Sequence, residues 1–502
     1  MHETNNKASE HQDRLKKLEE LKKLNINPYL AKAKRTHVIK QVLDNFNDLE
    51  KNQEVLNIVG RLRGIRVHGN IAFANLQDQS GTIQIVLSKR NTENTKNIKN
   101  TKINNNKYKI FTKLIDIGDF IEVQGNCFLT KKCERSVMVK DWKLLTKTLR
   151  PLPDKWHGLK DEDKKFRKRY LDILFNPGTR EIIEKKAKFW NAVREFHVKH
   201  GFLEVETPVL EITTGGADAA PFATHHNALD IDVYLRISAG ELWQKRLMVA
   251  GFEKTFEIGR IFRNEGMDVE HLQDYTQMEF YWAYADYKDG MDFVEKLYKN
   301  IAQQTFNTLK FKIKGFNIDL GKKWECYDYV DTIKKMTEVD ILKASLADIE
   351  KKLQQFKIKY SKEGFNITRA IDNLWKYCRK NIGGPGFLIN MPVIISPLAK
   401  SCENNLKLTQ RFQPIIAGTE MGNGYSELND PIDQAERFGT QQALREAGDT
   451  EAQMQDSDFV EALEYGMPPV CGFGFSERLF SFLMDKPIRE CQTFPLMKPK
   501  GL

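Results

Sequence analysis

FEIGRIFRNEGMDVEHLQDYTQMEFYWAYADY, residues 256–287, decides how the larger part of this chain folds. It reads as a strand, a polar loop and a second strand. Alternation in the second strand puts Gln277, Glu279 and Tyr281 on one face and Met278, Phe280 and Trp282 on the other. The apolar set is a core face. The polar set is costly on a sheet unless it meets water or a ligand. Arg263 ends the first strand, and Glu265 and His271 fall in the loop. An arginine can grip a phosphate through two parallel hydrogen bonds. Taken alone, the segment reads more simply as a salt-bridged surface hairpin.

The C-terminal region changes that balance. GTEMGNGYSELND, residues 418–430, sets Glu420, Asn423 and Glu427 close together among glycines. Carboxylates so near one another repel, which suits a positive ligand between them. An extended chain puts Asn423, Tyr425 and Glu427 on one side. Glu420 has the opposite parity, so Gly422 is expected to mark a bulge that re-aims it. CGFGFSERLFSFL, residues 471–483, then places Arg478 after two glycines and before an apolar helical pattern. Such glycines let backbone approach a flat ligand, and Arg478 at the helix start adds positive charge. Neither GxxxxGK[ST] nor a GxGxxG between strand and helix is present, so a P-loop or Rossmann site is not indicated.

At 502 residues, two or three domains are expected. The net charge of +10 suits a polyanion partner, with lysine-rich solvated faces as the bland alternative. No run of 18 apolar residues announces a transmembrane helix, and the first twenty residues lack the apolar stretch of a secretory signal. The seven cysteines form no CxxC pair, as expected of reduced thiols in a cytoplasmic protein.

Residues 1–50 read as a basic helical extension, in which 11–25 form an amphipathic helix with Leu15, Leu18 and Leu21 or Leu24 on one side. Residues 51–148 hold about five short β-branched strands, with turns at HGN and QSG, which suits a closed OB-type barrel. The Lys/Asn-rich tract at 90–108 is expected to be a surface loop. A linker, 149–165, leads to a domain over 166–502 with an antiparallel sheet flanked by helices, giving an α+β chain. Ile183, Ala187, Trp190, Val193 and Phe196 recur at helical spacing before a capping Gly201, and FLEVETPVL follows as a strand.

Over residues 10–502 the chain resembles the class II lysyl-tRNA synthetases. EVETPVL resembles the first signature of that class, FRNEG with His271 and QMEFYWAYADY the second, and GFGFSERLF the third. TTGGADAAPFATHHNALDIDVYLRISAGELWQKRL, SPLAK and GNGYSELND resemble the lysine-specific members. The resemblance implies activation of L-lysine by ATP to lysyl-adenylate and pyrophosphate, then transfer to the 3′ end of tRNA(Lys). It implies that Gly216, Glu241, Glu279, Tyr281, Asn423, Tyr425 and Glu427 surround the lysine. An ammonium leaving water needs carboxylate and phenol oxygens in exchange, whereas aspartate would need Arg or Lys there.

For ATP, the resemblance implies Arg263 on the α-phosphate, His271 and Arg478 near the γ-phosphate, Glu265 on the adenine amino group and Tyr275 stacked on the base. Arg263, Glu279 and Arg478 form the implied catalytic set. Glu279 and Glu420, with Gln413, are the implied Mg²⁺ ligands, carboxylate oxygens being the donors that ion takes. The family usually carries Glu where Gln413 stands, and glycine where Phe475 stands, so metal number and adenine packing are open. In the barrel, Arg66, Phe73, Gln84 and Glu134 match anticodon-reading positions, with barrel core as the other reading of Phe73. A homodimer joined through 180–208 is also implied. The rivals are a relative that lysylates a protein and a catalytically impaired RNA-binding relative.

Overall fold

In IAFANLQ, residues 71–77, every second side chain turns inward, and the first unit of the protein is built on that alternation. The structure, a computed structural model, describes residues 2–89, 103–153, 161–217, 219–362, 365–447 and 453–500. The chain divides into two units, Met1–Leu159 and Lys160–Leu502.

In the first unit, β1 (Leu56–His68), β2 (Ile71–Gln77), β3 (Thr82–Ser88), β4 (Phe120–Leu129) and β5 (Arg135–Thr146) close into a barrel in the order β1-β2-β3-β5-β4. Ala72, Ala74 and Leu76 point into the barrel core, so Phe73 points out. It packs on a small outer cluster of Val86, Phe128 and Met138, which disposes of the barrel-core reading. The turns at HGN and QSG stand where expected, between β1 and β2 and between β2 and β3. At the second, the Asp78 carboxylate accepts from the N–H groups of Ser80 and Gly81.

The N-terminal helix α1 (His2–Lys23) is longer than the sequence implied. Leu18 and Leu21 are buried, whereas Leu24 is 52% exposed and takes no part in the apolar side. Most of the tract at 90–108 lies outside the described residues. From Asn105 it is not loop but the first turn of α2 (Asn105–Leu114), capped by the Asn104 side chain and held by Tyr108, Phe111 and Leu114. The interval read as a linker, 149–165, is described only at 149–153 and 161–165, where the helix Glu162–Arg167 begins.

The second unit is ordered by one nine-stranded sheet. Its strands are β6 (Leu203–Glu204), β7 (Lys254–Phe262), β8 (Asp274–Ala283), β9 (Glu325–Asp328), β10 (Gly386–Ile389), β11 (Arg411–Ile416), β12 (Thr419–Glu420), β13 (Asn423–Ser426) and β14 (Val470–Ser476). They lie in the order β9-β10-β11-β13-β14-β8-β7-β6, with β12 paired to β11. The expected antiparallel sheet holds through the middle, but β6 with β7 and β9 with β10 are parallel pairs at the two edges. FLEVETPVL is mostly irregular, forming only the short β6 and a two-residue strand at Leu210–Glu211.

Helix α3 (Pro177–Lys199) buries Ile182, Phe189, Ala192, Val193 and Phe196. This stripe is offset from the expected one, leaving Ala187 exposed and Trp190 half-buried. Gly201 ends the helix at φ 80°, where a side chain would be strained. One face of the sheet meets α3 and α5 (Tyr287–Phe306) through an aromatic core. There Phe412 stacks on Phe473 at 5.5 Å and Trp190 on Phe475 at 6.1 Å. Phe475, outside the glycine pattern, is therefore a core residue. The intervening α4 (Glu241–Val249) carries the first of the acidic residues.

Candidate active site

Strand register decides what faces away from that core. Tyr281 of β8 lies opposite Gly472 of β14, which lies opposite Tyr425 of β13, which lies opposite Arg411 of β11. One step along, Glu279 lies opposite Gly474, and Gly474 opposite Asn423. Directly paired residues share a face, so these form two polar rows with a glycine in each. A Cβ at Gly472 would come within 2.0 Å of Glu427 Oε1 and 2.7 Å of the Tyr281 ring; one at Gly474 would come within 2.8 Å of Glu279 Cγ. Absent side chains make room for the acidic groups above.

Those groups converge. Gly216, Glu241, Glu279, Tyr281, Asn423, Tyr425 and Glu427 all line one cavity of about 240 Å³. Glu241, Glu279 and Glu427 are each at most 5% exposed. Glu279 accepts from the Ala239 N–H at 2.8 Å, from Gln277 Nε2 at 2.6 Å and from the Tyr281 hydroxyl at 3.1 Å. Even so, burial first, and then the charge of Glu241, raise its carboxyl to about 7. The Tyr425 hydroxyl donates to Glu241.

A residue that sequence reasoning missed sits among them. Lys245 Nζ lies 2.8 Å from Glu241 Oε1 and 2.6 Å from Glu427 Oε2. Burial alone would lower the Lys245 pKa, but Glu241 and Glu427 outweigh it and hold the ammonium above its ordinary value. The local signal was its place one turn after Glu241 on α4. Glu420 does not belong to this group. It stands on β12, paired with β11, so the opposite parity of Glu420 comes from two separate strands rather than from a bulge at Gly422.

A second cavity of about 540 Å³ adjoins the first, sharing Arg263, Gln277, Arg411, Gln413, Asn423 and Gly474. Its character is opposite: six Arg or Lys side chains line it against three carboxylates. His271, Tyr275, Glu420 and Arg478 line it, as the sequence implied, whereas Glu265 is exposed and lines neither cavity. His271 is 54% exposed at its side chain, and its Nδ1 lies 2.8 Å from the Asp268 carboxylate. The guanidinium of Arg263 stands 5.8 Å from the Tyr275 ring centroid.

The set expected around a metal is differently engaged. Glu420 is ion-paired to Arg379 and accepts from Trp375 Nε1. Among the described residues no three His, Cys, Asp or Glu side chains are grouped to hold a metal ion. Arg478 is ion-paired to Glu270, which also pairs with Lys314. No local pattern in the sequence announced Arg379 or Glu270.

In the barrel unit, Arg66 lies opposite Phe73, Phe73 opposite Val86, and Gln84 two residues before Val86 on the same face. Gln84 Nε2 donates to Glu134 at 2.9 Å, so the four residues form one outer surface.

Residues 161–498 match the family described as tRNA synthetases class II (D, K and N). The chain belongs to that family. A second match, OB-fold nucleic acid binding domain, covers residues 56–145 of the synthetase. The synthetase is 42% identical to the lysine–tRNA ligase of Thermotoga maritima over 97% of its own length and 96% of the relative's. It is 44% identical to that of Thermoanaerobacter sp. strain X514, with the same coverage. Against that of Nostoc punctiforme it is 42% identical, over 97% of its own length and 87% of the relative's.

Glu270 holds Arg478 in an ion pair, so a polyanion that binds Arg478 has to displace it. Ion pairs of this partial exposure are worth about 1 kcal/mol, or roughly fivefold. Glu270→Gln is therefore expected to tighten binding of inorganic pyrophosphate by about fivefold, read by titration calorimetry. Unchanged or weaker binding would show that Glu270 does not hold Arg478 against the ligand.

Proposed function

We propose that this protein is a lysine–tRNA ligase, activating L-lysine with ATP to lysyl-adenylate and pyrophosphate and then passing lysine to the 3′ end of tRNA(Lys). The observation that carries the reading is the pairing of the two cavities: an acidic one beside a basic one, with Arg263 in both walls. Three buried carboxylates line the first cavity with Lys245 paired to two of them, while Arg263 and Arg411 stand in the wall shared with the second cavity, so the part away from that wall suits one more positive charge. The side-chain ammonium of lysine supplies it. Its carboxylate then points toward the basic cavity, where the triphosphate lies.

The substrate's carboxylate attacks the α-phosphorus and pyrophosphate departs, so no protein nucleophile is needed. Arg263, at the junction, meets the charge that develops there. Arg478 holds the far end of the triphosphate, its buried Nε having no hydrogen-bond partner within the protein. Catalysis is then positioning plus charge stabilisation. Of the Glu279, Glu420 and Gln413 set, the Glu420 and Gln413 pair does not suit a protein-held ion, because Arg379 already neutralises Glu420 and Gln413 is a neutral amide. Mg²⁺ enters the reading as the companion of ATP. The outer barrel surface of Arg66, Phe73, Gln84 and Glu134 reads the anticodon, and nothing favours the RNA-binding rival without catalysis.

A homodimer in the cytoplasm completes the reading. Support for the dimer comes from Val198, Leu203, Val209, Leu210 and Ile212, all exposed apolar residues in or beside 180–208. Among the described residues, no helix is long and apolar enough to cross a membrane.

Lysine-dependent ATP–pyrophosphate exchange tests the central reaction; exchange with aspartate or asparagine but none with lysine would overturn it. A hydrogen bond to a charged group is worth about 1.5–3 kcal/mol, so Glu427→Gln is expected to raise the lysine KM roughly 10- to 150-fold. The ATP KM should move far less, and equal changes would remove Glu427 from the lysine site. For the barrel, Phe73→Ala is expected to weaken tRNA binding by about 1–3 kcal/mol with exchange unchanged and thermal stability only slightly lowered, since Phe73 packs on its apolar neighbours from outside the barrel. A large loss of stability instead would make Phe73 structural. Sedimentation should give twice the 58.2 kDa chain mass, falling to one chain in Leu210→Asp; a wild-type monomer would refute the dimer.

A further inference from the structure

Of the three carboxylates lining the cavity assigned above to the triphosphate, Glu420 has partners unusual for a metal ligand. Its Oε1 accepts the Trp375 Nε1–H, and its Oε2 is ion-paired to the Arg379 guanidinium. Both donors come from α6 (Ile367–Cys378) and the residue that follows it. The helix thus brings an indole N–H and a fixed positive charge to the two oxygens of the same carboxylate.

The neighbouring position is equally telling. Ile415 of β11 lies opposite Glu420 of β12, and Gln413 is two residues from Ile415 on the same face. Gln413 and Glu420 also line the same cavity. A divalent ion placed between them would find one neutral amide and one carboxylate already neutralised by a guanidinium. It would also be repelled by Arg379 and by Arg478, whose Nη1 donates to the Glu420 carbonyl at 3.4 Å. Hard divalent cations require free, preferably anionic oxygens. A guanidinium carries five N–H donors, so one that spends part of them on Glu420 still has others for phosphate oxygens. The Arg379 side chain is 22% exposed and lines the cavity, so it is open to such a ligand.

We propose that Arg379 takes the place of a divalent cation at Glu420, its guanidinium joining that carboxylate to the triphosphate, so that the protein holds no ion of its own there. This rests on the reading of the larger cavity as the ATP site. The only divalent ion in the reactive complex is then the one that ATP carries on its phosphates. Trp375 and Glu420 are positioning residues: they hold the guanidinium at the cavity wall.

The test counts ions. The full-length protein is saturated with α,β-methylene-ATP and lysine and titrated with Mn²⁺, followed by electron paramagnetic resonance. One Mn²⁺ per bound nucleotide is expected for the wild type. The double variant Arg379→Gln, Gln413→Glu is expected to bind at least one more, because it restores a second carboxylate and removes the resident cation. Two or more ions on the wild type overturn the proposal, and so does a folded double variant that gains none. A second measurement does not depend on the variant. Exchange by the wild type should level off once Mg²⁺ matches ATP plus pyrophosphate, and a further several-fold rise beyond that point overturns the proposal. Absence of lysine-dependent exchange would count against the ligase reading instead, while the ion count on the bound nucleotide would still be read.

Discussion

Carboxylates withdrawn from water must be given cations, hydrogen-bond donors or protons, and the larger unit is organised by that requirement. Glu241, Glu279 and Glu427 are buried together. Lys245 satisfies two of them and also keeps them apart, while backbone and side-chain donors converge on Glu279. A buried pair of this kind is not itself a source of stability, since desolvation consumes most of the Coulombic gain. Its effect is to hold these carboxyl groups in a fixed geometry around Lys245. The aromatic core on the reverse of the sheet supplies the rigidity: α5 and the stacked rings of Phe412, Phe473 and Phe475 leave those strands little freedom to shift.

The two cavities divide labour by sign. On the proposed reading, the acidic one matches a cation to carboxylates and the basic one sets arginines against phosphate. Residues that contribute to both walls, Arg263 among them, then stand at the junction where the two substrates react. Glu270 pairs with Arg478 and Lys314, and Arg379 with Glu420. On the proposed reading a phosphate that reaches Arg478 exchanges partners with Glu270, whereas Arg379 keeps Glu420.

Much of this was legible in the chain because it rests on short-range rules. Strict alternation in QMEFYWA marked core and polar faces of β8, and β-branched runs with turns at HGN and QSG marked the barrel. What escaped was decided by distant contacts. The helix stripe of α3 is set by where the sheet lies, so it settled on Ile182 and Phe189 rather than on the neighbouring residues. Lys/Asn-rich composition suggested loop, yet Tyr108, Phe111 and Leu114 found an apolar surface and formed α2. Lys245 was visible as a helix neighbour of Glu241, but its reach to Glu427 depends on the whole sheet. Arg379 meets Glu420 only because α6 docks beside β12, which no spacing could reveal.

The bare backbone at Gly472 and Gly474 has a consequence for any effort to re-engineer what this slot accepts. Even a methyl group at Gly472 would collide with Glu427 and Tyr281, and one at Gly474 would press on Glu279. The base of the slot is already at its minimum bulk, so it cannot be deepened by trimming and cannot be raised without displacing a charge. Tailoring for shorter, longer or bulkier amines has to begin at the sides, and the backbone beneath marks the limit of how deep a guest can sit.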